Sequence, residues 1–384
     1  MGRTLMLVAL AALVGLGVWL LSPMKGPAEP LLGVVDYRSL EGGPDGVAIV
    51  DLTPRSPNFG QILQDVPIGV GIEPHHPYYN RDGSKLYTTA LGGERLYRIH
   101  IHDDRIESIT PIETGGCVVG EDLYFSRDGS RYHLTCMGSD RVVVFDARTD
   151  QVIEEISAPH PSDPFIRYPH GISVNEALDR LIVTDTVSPD LQDAGTNVSI
   201  IEYSSGRVLA TIPLAKSPDA PSAPVEVLFA NGGETAYVTG MLDASIWALR
   251  SDAASGNFSP TLVDDGEPRG ESWPLEMYVG PGGYLYVSWG VPGGVNVYEI
   301  ERDGGLTLVR TLPADAGAHH VDFSPDGRTM FVQNNLLNLD GLNAGTLTAV
   351  DLRSGKLIAR SDSFLRQGKM PESLAILGGQ GHQH

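Results

Sequence analysis

The sequence predicts an all-β protein, a seven-bladed β-propeller with four-stranded blades. Three observations predict it. A phrase of strand, Gly-containing turn and strand recurs along the chain at spacings of 44 to 55 residues. Each interval holds two more strand-like runs, and the two chain ends supply the parts of one further blade. Period, strand count and self-similarity together suit propeller blades.

The clearest copies of the phrase are HHPYYNRDGSKLYTT from His75, EDLYFSRDGSRYHLT from Glu121 and HHVDFSPDGRTMFVQ from His319. Looser copies begin at His170, Val225 and Leu275, and a half-copy, ESLAILGG, begins at Glu372. Apolar residues alternate with polar ones, and Gly/Asp turns separate the runs, as in antiparallel sheets. In the second blade the remaining runs are RVVVFD (141–146) and QVIEEI (151–156); in the sixth they are TLTAVD (346–351) and KLIARS (356–361).

The half-copy at 372–377 lacks three strands. LLGVVDY (31–37), GVAIVDL (46–52) and GQILQDV (60–66) supply them from the other end of the chain. Pairing N-terminal strands with the C-terminal strand closes the ring and removes open edges. The propeller is therefore expected over 31–378, after an N-terminal segment (1–30) and before a flexible Gly/Gln/His tail (379–384).

Each repeat begins at one mouth of the central channel. Two rows of residues fall there. The first is His75, Glu121, His170, Val225, Leu275, His319 and Glu372; the second is His76, Asp122, Gly171, Glu226, Glu276, His320 and Ser373. Imidazoles with carboxylates are a ligand set for copper, zinc or iron. His75, His76, His170, His319 and His320 are the candidate metal ligands. Glu226 and Glu276 are the candidate catalytic residues, as orienters of the rings or as proton acceptors. Neighbours in a regular strand point to opposite faces, so each HH pair poses a geometric question. His100 and His102 are expected to face solvent, and His133 lies in the second strand of blade 2. Loops 186–196 and 335–345 are long enough for a partial lid on the same mouth.

Arg3 precedes an apolar stretch from Leu5 to Leu21, and Lys25 follows it. This reads as a hydrophobic helix, either a signal peptide or a membrane anchor. The body is then expected in the periplasm or otherwise outside the cytoplasm, with membrane contact only through that segment. Cys117 and Cys136 form either a disulfide or a buried free pair. The formal net charge of −21 disfavours nucleic acid as a partner. No phosphate-cradling Gly loop, GxSxG or HExxH occurs.

Two resemblances follow from these residues. KLYTTA, TAYVTG and YLYVSW, with their SPDG-like turns, resemble the YVTN class of seven-bladed propellers. The stretch from Gly33 to Asn80, with Ser56-Pro57, Phe59, Ile62-Leu63 and Glu73-Pro74-His75-His76, resembles the selenium-binding protein/methanethiol oxidase family. That likeness implies copper held by His75 and His76 and oxidation of a small thiol such as methanethiol. Where the family has a further histidine in the next blade, this chain has Glu121. The functional expectation is an exported copper-dependent oxidase of a small sulfur compound. The alternatives are a metal carrier or an interaction scaffold, with a lactonase-type hydrolase as a fold analogy.

Overall fold

The computed structural model describes residues 30–230, 233–252 and 256–379. The N-terminal apolar segment, expected as a helix, and His382 and His384 lie outside the described residues. Among the described residues no helix is long and apolar enough to cross a membrane.

Residues 31 onward form seven antiparallel sheets, six of them four-stranded. Blades 1 to 6 span 74–113, 120–157, 169–213, 224–265, 272–313 and 318–361, each in simple up-and-down order. Blade 7 combines both ends of the chain. Leu32–Ser39, Asp45–Asp51 and Ile62–Gly69 form its outer strands. The inner strand comes from the C-terminus and pairs antiparallel with Leu32–Ser39. The expected closure is thus present, with one difference. The closing strand is split into Lys369–Pro371 and Ala375–Ile376, because Glu372 to Leu374 leave the ladder at the channel mouth.

Burial follows position in the blade. The inner strands Pro74–Tyr79, Gly120–Phe125 and Pro224–Phe229 are buried along their whole length. The outermost strands, such as Ile62–Gly69 and Leu306–Pro313, alternate between shielded and exposed residues. An inner strand has a neighbouring blade on each side, whereas an outer strand has solvent on one face. Seven apolar clusters join consecutive blades. One packs Tyr78 and Tyr87 of blade 1 on Phe125, Tyr132 and Phe145 of blade 2. The cluster at the closure packs Val35 and Tyr37 of blade 7 on Phe331 and Leu347 of blade 6. Every blade is therefore held from both sides, which a ring achieves only when it closes.

An eighth cluster lies on the mouth rather than between sheets. Val187 and Ala194 from one loop, and Leu336, Leu337, Leu339 and Leu342 from another, pack with Val225, Met241 and Leu275. These are the two loops expected as a lid. Cys117 and Cys136 form a disulfide. It ties the segment leading into blade 2 to the end of that blade's second strand, four residues before Glu121.

Candidate metal centre at the channel mouth

The residue pairs of the two rows sit on a repeated backbone irregularity. In blade 1, Pro74 pairs with Ala90 and Pro77 with Thr88, so His75 and His76 together face only Thr89. The same shift occurs at Glu121-Asp122, His170-Gly171, Val225-Glu226, Leu275-Glu276 and His319-His320. Each is a β-bulge, two residues opposite one. A bulge breaks the alternation of side chains, and this answers the question posed by the HH pairs. The rings of His75 and His76 stack with centroids 4.1 Å apart, and those of His319 and His320 lie 3.9 Å apart.

Local sequence enforces the bulges. The residue before each pair is Pro74, Gly120, Pro169, Pro224, Pro274 or Ala318, and a proline suits a bulge because it has no N–H to leave unpaired. The residue before that has positive φ in all six blades: Glu73, Val119, Tyr168, Ala223, Trp273 and Gly317. For Val119 and Trp273 this is a costly conformation, about 1–3 kcal/mol each. The amide freed by the bulge is capped from the second strand. Thr89, Thr135, Thr184, Thr239, Ser288 and Gln333 accept hydrogen bonds from the amides of His76, Asp122, Gly171, Glu226, Glu276 and His320, at 2.8 to 3.3 Å. Thr135, Thr184 and Thr239 then donate to the carbonyls of His170, Val225 and Leu275 in the next blade. This belt ties each presented pair to its neighbour. Gly171 has no side chain because a Cβ there would meet the Val225 carbonyl at 2.5 Å.

The ring brings five histidines to one place. The His76 and His320 ring centroids are 4.5 Å apart, those of His75 and His319 5.7 Å, and those of His76 and His170 5.8 Å. One nitrogen each from His75, His76, His319 and His320 lies within 4.8 Å of the others. Donors around a tetrahedral ion with metal–nitrogen bonds of about 2.0 Å stand roughly 3.3 Å apart. Binding one ion would require the four nitrogens to close from within 4.8 Å to about that spacing. A second group, His75, Glu121 and His170, meets the same 4.8 Å limit.

The chemistry of the donors fits a metal. His75, His76 and His320 are at most 3% exposed and His319 is 2% exposed, yet Nδ1 of His75, Nε2 of His76 and Nδ1 of His319 make no hydrogen bond. Each such buried atom costs about 1–3 kcal/mol unless something else engages it. Burial, then the neighbouring His319 and His170, hold His75 well below the ordinary imidazole range. Burial, then His75 and His320, do the same to His76. Both rings are neutral at pH 7, with lone pairs free for a cation.

Carboxylates and tyrosines surround the rings. Glu121 Oε2 lies 3.8 Å from His75 Nε2 and 3.6 Å from His170 Nε2. Glu276 Oε1 lies 3.4 Å from His319 Nε2. Glu226 hydrogen-bonds Glu276, and burial, followed by Asp122 and Glu276, raises it well above the carboxylate range. Asp122 accepts from the amides of Leu123 and Ile172 and from the Tyr78 hydroxyl. Since Tyr78 gives its proton to Asp122, it accepts from His76 Nδ1 at 3.2 Å. That fixes the His76 proton on Nδ1 and leaves Nε2 with its lone pair and no hydrogen bond, an arrangement that resembles the carboxylate support of metal-binding imidazoles, extended by one phenol.

A cavity of about 580 Å³ opens above the rings. His75, Glu121, His170 and His319 reach it, under a largely apolar roof from Val187, Leu191, Met241, Trp273 and Leu336. Of the lining residues only Arg38 carries a cationic side chain, 3.3 Å from both Glu73 and Glu372. Sequence reasoning did not single out Arg38, which stands outside the two rows. His100 and His102 are exposed as expected. His133 is buried against Tyr124 and Tyr203, and burial pushes it down to about 4.

The mouth sets a pH dependence for the metal-free protein. Burial raises Glu372 to about 8. A raised carboxyl contributes stability that is full below its unfolded value and lost as pH rises through the folded value. The other titrating groups, His75 and His76 among them, are common to parent and variant, so they largely cancel when the two proteins are compared at one pH. Glu372→Gln is therefore expected to melt at a higher temperature than the parent at pH 9, by clearly more than at pH 6.5. Melting curves across that range check this, and parallel curves for the two proteins would remove Glu372 as a cause.

The fold and site can now be set beside known proteins. A family model described as Lactonase, 7-bladed beta-propeller, matches residues 198–366, within blades 3 to 6 and the segment after them. No curated protein matches the chain by sequence. A hypothetical selenium-binding protein from Sulfolobus tokodaii is similar in structure, with a TM-score of 0.74 and 16% identity, covering 94% of this chain and 96% of that one. The periplasmic gluconolactonase of Pseudomonas aeruginosa follows with 0.65 and 17%, covering 90% and 98%. A putative 6-phosphogluconolactonase from Bacteroides fragilis has 0.64 and 13%, covering 91% and 99%. At these identities the structural likenesses concern the fold. The chain is a seven-bladed β-propeller, similar over blades 3 to 6 to the lactonase-type propellers.

Proposed function

We propose that the protein is a metal-dependent oxidase of a small thiol or related sulfur compound, with copper as its metal and the cavity as its substrate chamber. One observation carries this reading: two adjacent-histidine pairs, turned to the same side by bulges in blades 1 and 6, meet in a buried place where Nδ1 of His75, Nε2 of His76 and Nδ1 of His319 make no hydrogen bond. All-imidazole donation suits copper, with zinc as the principal competitor.

Copper in that position supplies Lewis acidity and electron transfer between a thiol and dioxygen. The remaining roles belong to the chain. His75, His76, His319 and His320 would hold the ion, and Tyr78 and Asp122 fix the tautomer of His76. Glu276 orients His319, and the Glu226–Glu276 pair holds a proton beside it. Arg38, held by Glu73 and Glu372, gives the cavity a guanidinium donor for a polar group of the substrate. The apolar roof excludes water and favours a substrate with an alkyl group. The disulfide supports an oxidising compartment, which agrees with export to the periplasm.

Metal analysis of natively purified protein tests the reading. At least one copper per chain is expected, and its loss from the His75→Ala/His76→Ala variant. Metal-free protein in both preparations would sink the proposal. Oxygen uptake with methanethiol at full copper occupancy tests the oxidase part, and no uptake would withdraw the substrate class. The family match across 198–366 favours lactone hydrolysis as a second reading. Gluconolactone turnover by metal-free protein would select it.

A further inference from the structure

We propose a second metal position at the mouth, formed by His75, Glu121 and His170 and adjoining the four-histidine position. It rests on the metal reading above and extends it to a two-ion centre. The first observation is the ligand geometry. Glu121 Oε2 sits between two imidazoles, 3.8 Å from His75 Nε2 and 3.6 Å from His170 Nε2. That oxygen is buried and makes no hydrogen bond. Glu121 is only 3% exposed, and no lysine or arginine pairs with it among the described residues. A carboxylate in such a place calls for a cation.

The second observation is access. His75, Glu121 and His170 all line the cavity, whereas His76 and His320 do not. Three protein ligands with one side open to a chamber is the arrangement of a reactive metal. The third is the kind of donor. Two imidazoles and one carboxylate favour a harder divalent ion, of the iron, manganese or zinc class, than four imidazoles do.

His75 belongs to both groups. Its Nε2 faces Glu121 and its Nδ1 makes no hydrogen bond, so one ring has a nitrogen for each position. Occupying both requires His75 to lose its ring proton, which passes to solvent. This assigns a use to Glu121. At that blade start, a carboxylate in place of an imidazole builds a different ligand set rather than a poorer one.

The test is zinc stoichiometry by equilibrium dialysis and elemental analysis, with melting curves showing that each variant folds. The parent is expected to bind two Zn²⁺ per chain. Glu121→Gln/His170→Ala and His319→Ala/His320→Ala are each expected to bind one, and His75→Ala/His76→Ala at most one, weakly. One ion in the parent and one in Glu121→Gln/His170→Ala overturns the second position and leaves the four-histidine site standing. One ion in the parent and none in that variant overturns it as well, by merging all the ligands into a single centre. No ion in the parent removes the underlying metal reading itself.

Discussion

Truncation after Gly368 is expected to abolish the folded propeller, whereas truncation after Gly379 is expected to leave its melting temperature unchanged. The shorter chain loses Met370, Leu374, Ala375 and Ile376, each at most 3% exposed. Burial of Met, Leu or Ile stabilises by roughly 2 kcal/mol apiece. The truncation also strips Leu32–Ser39 of its inner partner and exposes the edge of a buried strand. The clusters that join blade 7 to blades 6 and 1 both contain lost residues, so the ring opens on two sides at once. Against a total stability of about 5–15 kcal/mol, losses of that size leave nothing to spare. Circular dichroism and thermal melting of the two truncations decide the matter. A cooperative melt of the shorter chain near the parent's temperature would show that the closure is decorative.

Asp122→Ala is expected to cost about 3–5 kcal/mol of stability, while Tyr78→Phe is expected to leave the fold nearly intact and weaken metal binding about 10- to 100-fold. Asp122 gathers donors from three blades: the hydroxyl of Tyr78, the amide of Leu123 and the amide of Ile172. Removing the carboxylate leaves those buried donors without their acceptor, at about 1–3 kcal/mol each. Tyr78→Phe keeps the ring in the cluster between blades 1 and 2 and deletes only the hydroxyl. His76 then loses the group that holds its proton on Nδ1 and leaves Nε2 to the metal. Losses of 10- to 100-fold are usual when such a support is removed. Denaturant titration measures the first effect. Competition with a chelator of known affinity measures the second, and unchanged affinity in Tyr78→Phe would show that the phenol serves packing alone.

Much of the fold was legible because a propeller repeats itself. Six copies of one phrase, a half-copy at the C-terminal end and three strands at the N-terminal end leave little freedom in blade number or closure. The two rows were legible for the same reason, since register alone places His75, His170 and His319 around one axis. The bulges were not legible. A pair of residues in a strand looks the same in sequence whether the ladder runs straight or skips a partner. The signal was nevertheless present, in Pro74, Pro169, Pro224, Pro274 and Pro371 one place before the pairs, and in the Thr, Ser or Gln 12 or 13 residues after them. Its meaning needed the hydrogen-bond ladder. Arg38 was missed because it reaches the mouth from the second strand of blade 7, outside the repeat's register. Glu121 counted as a lost ligand in sequence and stands between two imidazoles in space.

The bulges carry one more consequence. Each start of blades 1 to 6 presents a neighbouring pair inward on a backbone fixed by a preceding proline, glycine or alanine, a left-handed residue and a hydroxyl or amide cap. None of these supports involves the presented side chains. Apart from Asp122, whose carboxylate itself ties three blades, and Gly171, where a Cβ would meet the Val225 carbonyl, the pairs are therefore interchangeable letters in a frame that their spelling does not disturb. Blade 4 displays Val225-Glu226 and blade 5 Leu275-Glu276 where blades 1 and 6 display two histidines. Lineages sharing this scaffold are free to rewrite the reaction at the mouth, one pair at a time, while every sheet beneath it stays the same.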